Sequence, residues 1–217
     1  MPTEIKFCGL TRAGDAREAV ALGARYVGVI FASGPRRLSL EQAGEVLAEV
    51  PARVRRVGVF GDTNADTIVA AADALGLGAV QLHGSNGTRL LHEVRAHFKG
   101  EVWNVLRLRD NRLPESAAEL FAAADGVVLD AHVAGRLGGT GMTLPWEELV
   151  GELVAVRNGG AGARFILAGG LKAENVGEAI RLLRPDVVDV SSGVETAPGI
   201  KDHARMRAFT DAVHAST

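Results

Sequence analysis

The chain has one cysteine, Cys8, and so no means of forming an internal disulfide. With no thiols to pair, a reducing compartment is the expected setting. It also lacks charge of either sign in excess. Lys and Arg number 24 against 26 Asp and Glu, a formal net charge of -2, which removes the electrostatic case for binding nucleic acid or an anionic membrane. No apolar run approaches the roughly 20 residues that a spanning helix needs. The opening Met1-Pro2-Thr3-Glu4-Ile5 has no basic segment followed by an apolar one, the pattern of a secretory signal. No Pro/Gly/Ser linker or charge block divides the chain. His92, His97, His132, His203 and His214 show no metal-ligand spacing with one another or with Cys8. These absences predict a soluble cytoplasmic protein of one domain, 1–217, needing neither metal nor organic cofactor. No exposed apolar seam is apparent, so a monomer is expected rather than a homodimer.

What is present is a repeating pattern. Hydrophobic residues make up 47% of the chain and charged residues 23%, ordinary proportions for a globular fold. At 217 residues the core needs no covalent staple. Short β-branched runs recur at Glu4–Phe7, Tyr26–Phe31, Arg55–Phe60, Ala79–Leu82, Val102–Leu106, Gly126–Leu129, Arg164–Leu167 and Val187–Val190. Stretches with helical spacing follow them, at Arg12–Leu22, Leu40–Val50, Asn64–Leu75, Thr88–Phe98, Pro114–Ala124, Trp146–Val156, Glu174–Leu183 and Asp202–His214. Ser39 with Gln42 reads as a capping box, Pro114 as a first-turn proline, and Gly23, Gly76 and Gly100 as left-handed helix ends. A period of roughly 27 residues is that of a βα unit with short loops. Eight such units predict an α/β fold of the single-domain (β/α)8 TIM-barrel type. An open doubly wound sheet is the structural rival; the strand count and the placement of polar residues favour closure.

In a closed βα barrel the chemistry sits at the C-terminal strand ends. Those positions here carry Cys8-Gly9, Ser33-Gly34-Pro35-Arg36-Arg37, Gln81-Leu82-His83-Gly84, Asp130, Ala168-Gly169-Gly170 and Ser191-Ser192-Gly193. Gly169 and Gly170 permit close backbone approach, and Ser191, Ser192 and Gly193 offer N–H and hydroxyl donors. On adjacent strands seven and eight they read as a phosphate cradle rather than as two unrelated turns. Gly138-Gly139-Thr140-Gly141 lacks the Lys-Ser/Thr ending of a P-loop and reads as a flexible active-site loop. The Gly-rich stretch from Gly159 to Gly162 reads as a helix-to-strand connection.

A lone cysteine is usually inert core. At a strand end after Lys6 and before Gly9-Leu10-Thr11, Cys8 instead reads as a base, if nearby positive charge holds its thiolate. Asp130, closing Gly-Val-Val-Leu-Asp, is either an ion-paired structural carboxylate or a proton donor kept protonated by burial. Together across a barrel mouth they suggest a base and an acid. Arg36 has the planar fork to hold a carboxylate, with a solvated surface arginine as the alternative. Gln81 and His83 read as lining the same mouth, with a structural histidine as the alternative for His83 and no catalytic role assigned to it.

These segments, in order, resemble the phosphoribosylanthranilate isomerase family. The matching stretches are Lys6-Phe7-Cys8-Gly9-Leu10-Thr11, Gly34-Pro35-Arg36-Arg37-Leu38-Ser39, Val57-Gly58-Val59-Phe60 and Val80-Gln81-Leu82-His83-Gly84. They continue with Leu129-Asp130, Gly138-Gly139-Thr140-Gly141, Leu167–Leu171 with Asn175-Val176, and Asp189–Glu195 followed by Pro198–Asp202. The resemblance implies an Amadori rearrangement of N-(5-phosphoribosyl)anthranilate, a phosphorylated aminosugar, in tryptophan biosynthesis. It further implies Asp130 as general acid, Cys8 as general base, Arg36 on the anthranilate carboxylate, and phosphate in the loops after strands seven and eight. No cofactor is implied, since the substrate nitrogen is the electron sink.

The chain departs from the family pattern after Gly141. The family usually has Lys-Thr-Phe-Asp-Trp, and this chain has Met142-Thr143-Leu144-Pro145-Trp146, which alters loop anchoring and helix capping without touching the acid–base pair. The loop also carries His132 and Arg136. Three rival readings differ from this resemblance at specific positions. A histidine-pathway aminoaldose isomerase would have an aspartate at the Cys8 position. A phosphopentose epimerase would have metal-binding strand-end residues. A non-catalytic phosphate sensor would need neither Cys8 nor Asp130.

Overall fold

The computed structural model describes residues 2–84, 87–108, 112–130, 146–158 and 162–216. Eight strands alternate with eight helices. The strands are β1 (Glu4–Phe7), β2 (Tyr26–Ile30), β3 (Arg55–Phe60), β4 (Ala79–Leu82), β5 (Glu101–Arg107), β6 (Gly126–Asp130), β7 (Arg164–Ala168) and β8 (Val187–Val190). The helices are α1 (Ala13–Ala21), α2 (Leu40–Leu47), α3 (Ala65–Leu75), α4 (Gly87–Arg95), α5 (Ala117–Ala123), α6 (Trp146–Asn158), α7 (Ala173–Leu183) and α8 (His203–His214). Every strand pairs in parallel with its neighbour in sequence, and β8 pairs with β1. The sheet is closed, which excludes the open doubly wound alternative. A short hairpin, β9 (Glu195–Ala197) and β10 (Ile200–Lys201), follows β8 and precedes α8.

Strands covered on both faces need apolar side chains on both, and this barrel divides them into two cores. Outward-facing residues such as Phe7, Val27, Leu82, Phe165 and Val188 pack with helix residues including Leu47, Leu91, Phe121 and Phe209. A separate cluster fills the barrel itself: Tyr26, Val57, Ala79, Trp103, Val105, Val128, Ile166 and Val187. Within it Tyr26 and Trp103 meet edge to face, with centroids 4.9 Å apart, a geometry worth about 0.5–1.5 kcal/mol beyond area burial. Below this layer, at the N-terminal strand ends, charges pair: Arg55 with Glu101, and Arg164 with Glu4 and Tyr26. Trp103 Nε1 donates to Glu101 Oε2 at 2.8 Å. Above it lies a polar layer at the opposite end, where the site is built.

Helix ends follow the predicted chemistry at three points. Ser39 and Gln42 form the reciprocal capping box, at 3.1 and 2.9 Å. Gly23 and Gly76 have φ of 81° and 59°, the left-handed conformation that closes α1 and α3. Two expectations are corrected. Gly100 is not among the positive-φ glycines, because α4 ends at Arg95; a Cβ there would stand 2.6 Å from Gly78 O, so it serves a close approach before β5. Pro114 precedes α5 instead of opening it, and its carbonyl accepts from Ala117 N in the leading turn.

Candidate active site

Side chains alternate along a strand, so Lys6 and Cys8 point to the same side of β1. That side is the barrel interior. Lys6 is fully buried and in register with Asp189 of β8. Its Nζ donates to Asp189 Oδ2 at 2.7 Å and to Gln81 Oε1 of β4 at 3.1 Å. Gly28 of β2 makes the space: a Cβ there would stand 3.0 Å from Cys8 Sγ and 3.3 Å from Lys6 Cε. Burial draws the Lys6 ammonium toward neutrality, but Asp189 and Cys8 more than offset this and its pKa is raised. Burial pushes the Cys8 thiol up, and Lys6 and Lys201 pull against that without cancelling it. Nearby positive charge is present as the sequence reading required, yet the ligand-free site holds a thiol at neutral pH.

The hairpin β9–β10 clips the top of this layer. Lys201 Nζ donates to Cys8 O at 2.6 Å, Ser191 O at 3.1 Å and Glu195 Oε1 at 2.8 Å. It thereby ties the ends of β1 and β8 together. Arg36, from the loop after β2, is not a free surface arginine. Its Nε and Nη2 make a bidentate pair with Glu195, at 2.8 and 2.6 Å. Burial alone would raise the Glu195 pKa, but Arg36 and Lys201 hold it below the usual carboxylate range. The guanidinium is fixed in orientation by that fork, and among the described residues its Nη1 has no partner, which leaves that edge to a second acceptor.

Asp130 closes β6, half-buried and in register with Arg107 and Ala168. Its charge acts on His83, which ends the β4 segment. Burial lowers the His83 pKa, with Asp130 opposing, so the imidazole is neutral at neutral pH. Two buried side-chain atoms have no hydrogen-bond partner among the described residues, His83 Nδ1 and Asp189 Oδ1. Both belong to this polar layer, where unpaired groups are costly unless something binds them.

The loops after β7 and β8 lie against each other. Gly169 and Gly170 have φ of 88° and 68°. Ser192–Val194 forms a 3-10 turn, whose first N–H groups have no partner within the turn. At Gly193 an added Cβ would stand 1.9 Å from Leu171 O, a clash with backbone that no rotamer relieves. Asn175 locks the adjoining start of α7, accepting from Lys172 N at 2.9 Å and donating to Gly170 O at 3.0 Å. Gly193→Ala is therefore expected to part the two loops and weaken binding of a phosphate ester at least tenfold. Overpacking of this kind also costs about 1–3 kcal/mol of stability. Gly170→Ala meets nothing within 4 Å and carries only a left-handed backbone penalty of roughly 1–2 kcal/mol. Titration of both variants with inorganic phosphate checks the contrast; equal weakening would mean that backbone conformation, not the loop contact, decides the outcome.

The structure thus brings Cys8, Arg36, Gln81, His83, Asp130 and the Gly169, Gly170, Ser191, Ser192 and Gly193 cluster to one end of the barrel. The loop with Gly138–Gly141, His132, Arg136, Met142 and Pro145 lies outside the described residues, as do Gly159–Ala161. Sequence reasoning named Lys6 only as the neighbour of Cys8 and did not single out Asp189, Glu195, Lys201 or Gly28. The available signal for Lys6 and Asp189 was a charged residue inside an otherwise apolar strand, in Glu-Ile-Lys-Phe and Val-Val-Asp-Val. Among the described residues no group of three or more His, Cys, Asp or Glu is placed to hold a metal ion.

Comparison with known proteins shows the family. A family model described as N-(5'phosphoribosyl)anthranilate (PRA) isomerase matches residues 5–212. The N-(5'-phosphoribosyl)anthranilate isomerase of Ralstonia pickettii is 38% identical, covering 97% of this chain and 92% of that protein. That of Thiobacillus denitrificans is 39% identical and covers 100% of both. Among solved structures, the phosphoribosyl anthranilate isomerase of Thermotoga maritima superposes with a TM-score of 0.85 at 33% identity, covering 98% of this chain and 99% of that one. A phosphoribosyl anthranilate isomerase in complex with reduced 1-(o-carboxyphenylamino)-1-deoxyribulose 5-phosphate superposes at 0.83 with 31% identity over 98% and 99% of the two chains. The chain belongs to the N-(5'-phosphoribosyl)anthranilate isomerase family.

Proposed function

We propose that this chain converts N-(5-phosphoribosyl)anthranilate to 1-(2-carboxyphenylamino)-1-deoxyribulose 5-phosphate, with Asp130 as acid and Cys8 as base, in tryptophan biosynthesis. The observation that carries the reading is the Cys8 thiol at the floor of a polar barrel mouth that also holds Asp130. Asp130 donates a proton to the ring oxygen as the bond from that oxygen to C1 breaks. The nitrogen lone pair forms the C1–N double bond, giving an iminium ion. Cys8, as thiolate, takes the proton from C2, and the released electron pair moves toward the nitrogen to give an enolamine. Protonation at C1 and loss of the hydroxyl proton at C2 yield the ketone.

The high pKa of the Cys8 thiol is compatible with this duty. An iminium beside C2 is itself a cation that favours the thiolate, and it raises the acidity of the C2 proton. Since the substrate nitrogen accepts the electron pair, no step calls for a metal or an organic cofactor. The loops carrying Gly169, Gly170, Ser191, Ser192 and Gly193 hold the phosphate. Gln81 and His83 meet the sugar, and the spare edge of Arg36 meets the anthranilate carboxylate.

Loss of anthranilate-type fluorescence on mixing the purified protein with fresh phosphoribosylanthranilate, without added metal, tests the reading. A folded protein that binds phosphate esters without turnover would be a sensor on the same scaffold. Arg36→Ala is expected to raise KM about tenfold or more, with a smaller change in kcat, as loss of a charge-assisted pair predicts. An unaltered KM would remove the carboxylate clamp.

The same reading places the protein in the cytosol, where Cys8 stays reduced, as a monomer. Among the described residues the exposed large hydrophobics are Leu40, Val154 and Ile200. They lie on α2, α6 and β10 and form no single seam. A solved relative from Thermotoga maritima is described as dimeric and was obtained as monomers, so sedimentation of this chain is the deciding measurement.

A further inference from the structure

The acid–base reading gives no task to the fully buried Lys6. A buried ion pair is weak evidence for a stabilising role, because desolvation consumes most of the attraction. The geometry offers another use. An ammonium has three donors. Asp189 Oδ2 takes one at 2.7 Å and Gln81 Oε1 another at 3.1 Å. Cys8 lies on the same side of β1, and its Sγ and the Lys6 Cε flank the same empty point beside Gly28, at 3.0 and 3.3 Å. The Lys6 ammonium and the Cys8 thiol thus share one pocket, and each acts on the charge of the other.

We propose that Lys6 is a positioning residue for the isomerisation: its ammonium, fixed between Asp189 and Gln81, is the counter-charge against which Cys8 becomes a thiolate. The proposal rests on Cys8 acting as the base. The thiol is the resting form; a minor thiolate fraction, its proton lost to solvent before substrate closes the mouth, is held against Lys6, which Asp189 keeps protonated, and this fraction takes the C2 proton. The other charged groups that face Cys8 are differently engaged. Lys201 of β10 and Arg36 after β2 share the carboxylate of Glu195. Asp189 of β8 opposes the thiolate, while Asp130 and His83, at the ends of β6 and β4, act on each other.

Cys8 is the only cysteine, so alkylation by iodoacetamide reports its thiolate alone. In Lys6→Met the pH midpoint of alkylation is expected to rise. A one-unit rise means tenfold less thiolate at neutral pH, so kcat should fall by about tenfold per unit, with KM nearly unchanged and part of the rate regained at higher pH. Lys6→Met strands the Asp189 charge, and the double variant Lys6→Met/Asp189→Asn removes both charges for the case where the single one does not fold. An unmoved alkylation midpoint in a folded variant overturns the proposal, even if turnover falls. A raised midpoint alongside a fully active Cys8→Ala would keep the Lys6–Cys8 coupling and discard Cys8 as the base.

Discussion

Replacing Cys8 by alanine is expected to lower kcat by about 100- to 10,000-fold, the range for loss of one proton-transfer group, while a bound product analogue is held as before. The two effects separate because of where the thiol sits. Cys8 is 6% exposed, and its backbone carbonyl, not its sulfur, carries the structural contact with Lys201. Alanine keeps that carbonyl and the β1–β8 pairing and loses a single heavy atom. The loops after β7 and β8 and the Arg36–Glu195 fork lie outside the substituted residue and are untouched. Cys8→Ser is expected to be almost as inactive, since a hydroxyl is far harder to ionise than a thiol in the same buried setting. Steady-state kinetics with a parallel binding titration reads both quantities. Turnover of Cys8→Ala within a few-fold of wild type would remove Cys8 as base, and a matching loss of binding would make it a structural residue.

The strand pattern was almost wholly legible, for a physical reason. Strands buried on both faces are short, mainly apolar and β-branched runs, and β1, β3, β4 and β8 begin and end at the residues expected from sequence. Where the expected bounds fell short, the missing residues were mostly polar. Glu101 and Arg107 extend β5 and Asp130 extends β6, yet a hydrophobic pattern stops before them. Glu101 belongs to the strand because its carboxylate closes the barrel floor against Arg55 and Trp103. Tyr26–Phe31 erred the other way, since Phe31 leaves the strand to stack on Phe60 with centroids 4.9 Å apart. The hairpin β9–β10 is too short for any periodicity to reveal. The site was legible as a set of strand-end residues but not as a network. Nothing local in the sequence says that Arg36 is gripped by Glu195, 159 positions away. Nor does anything local say that Lys6, the charge two residues before Cys8, is held by Asp189 across 183 positions. Barrel closure makes those contacts, and only the register of β1 on β8 specifies them.

Asp130→Asn is expected to cost kcat a comparable 100- to 10,000-fold, and an isotope effect distinguishes its step from that of Cys8. Asparagine keeps the shape at the end of β6 and cannot donate a carboxyl proton to the ring oxygen. Ring opening should then limit the rate, so deuterium at C2 of the substrate should no longer slow turnover. In Cys8→Ala the C2–H cleavage itself limits, and a full isotope effect should appear. The neighbouring imidazole does not confuse the comparison. Burial holds the His83 pKa down and Asp130 is what opposes it, so removing that carboxylate drives His83 further toward the neutral form it already has. A new charge on His83 therefore cannot be the source of the loss. An unchanged kcat in Asp130→Asn would exclude it as the acid. A low kcat that retains the full C2 isotope effect would move its role from ring opening to the support of the proton abstraction at C2.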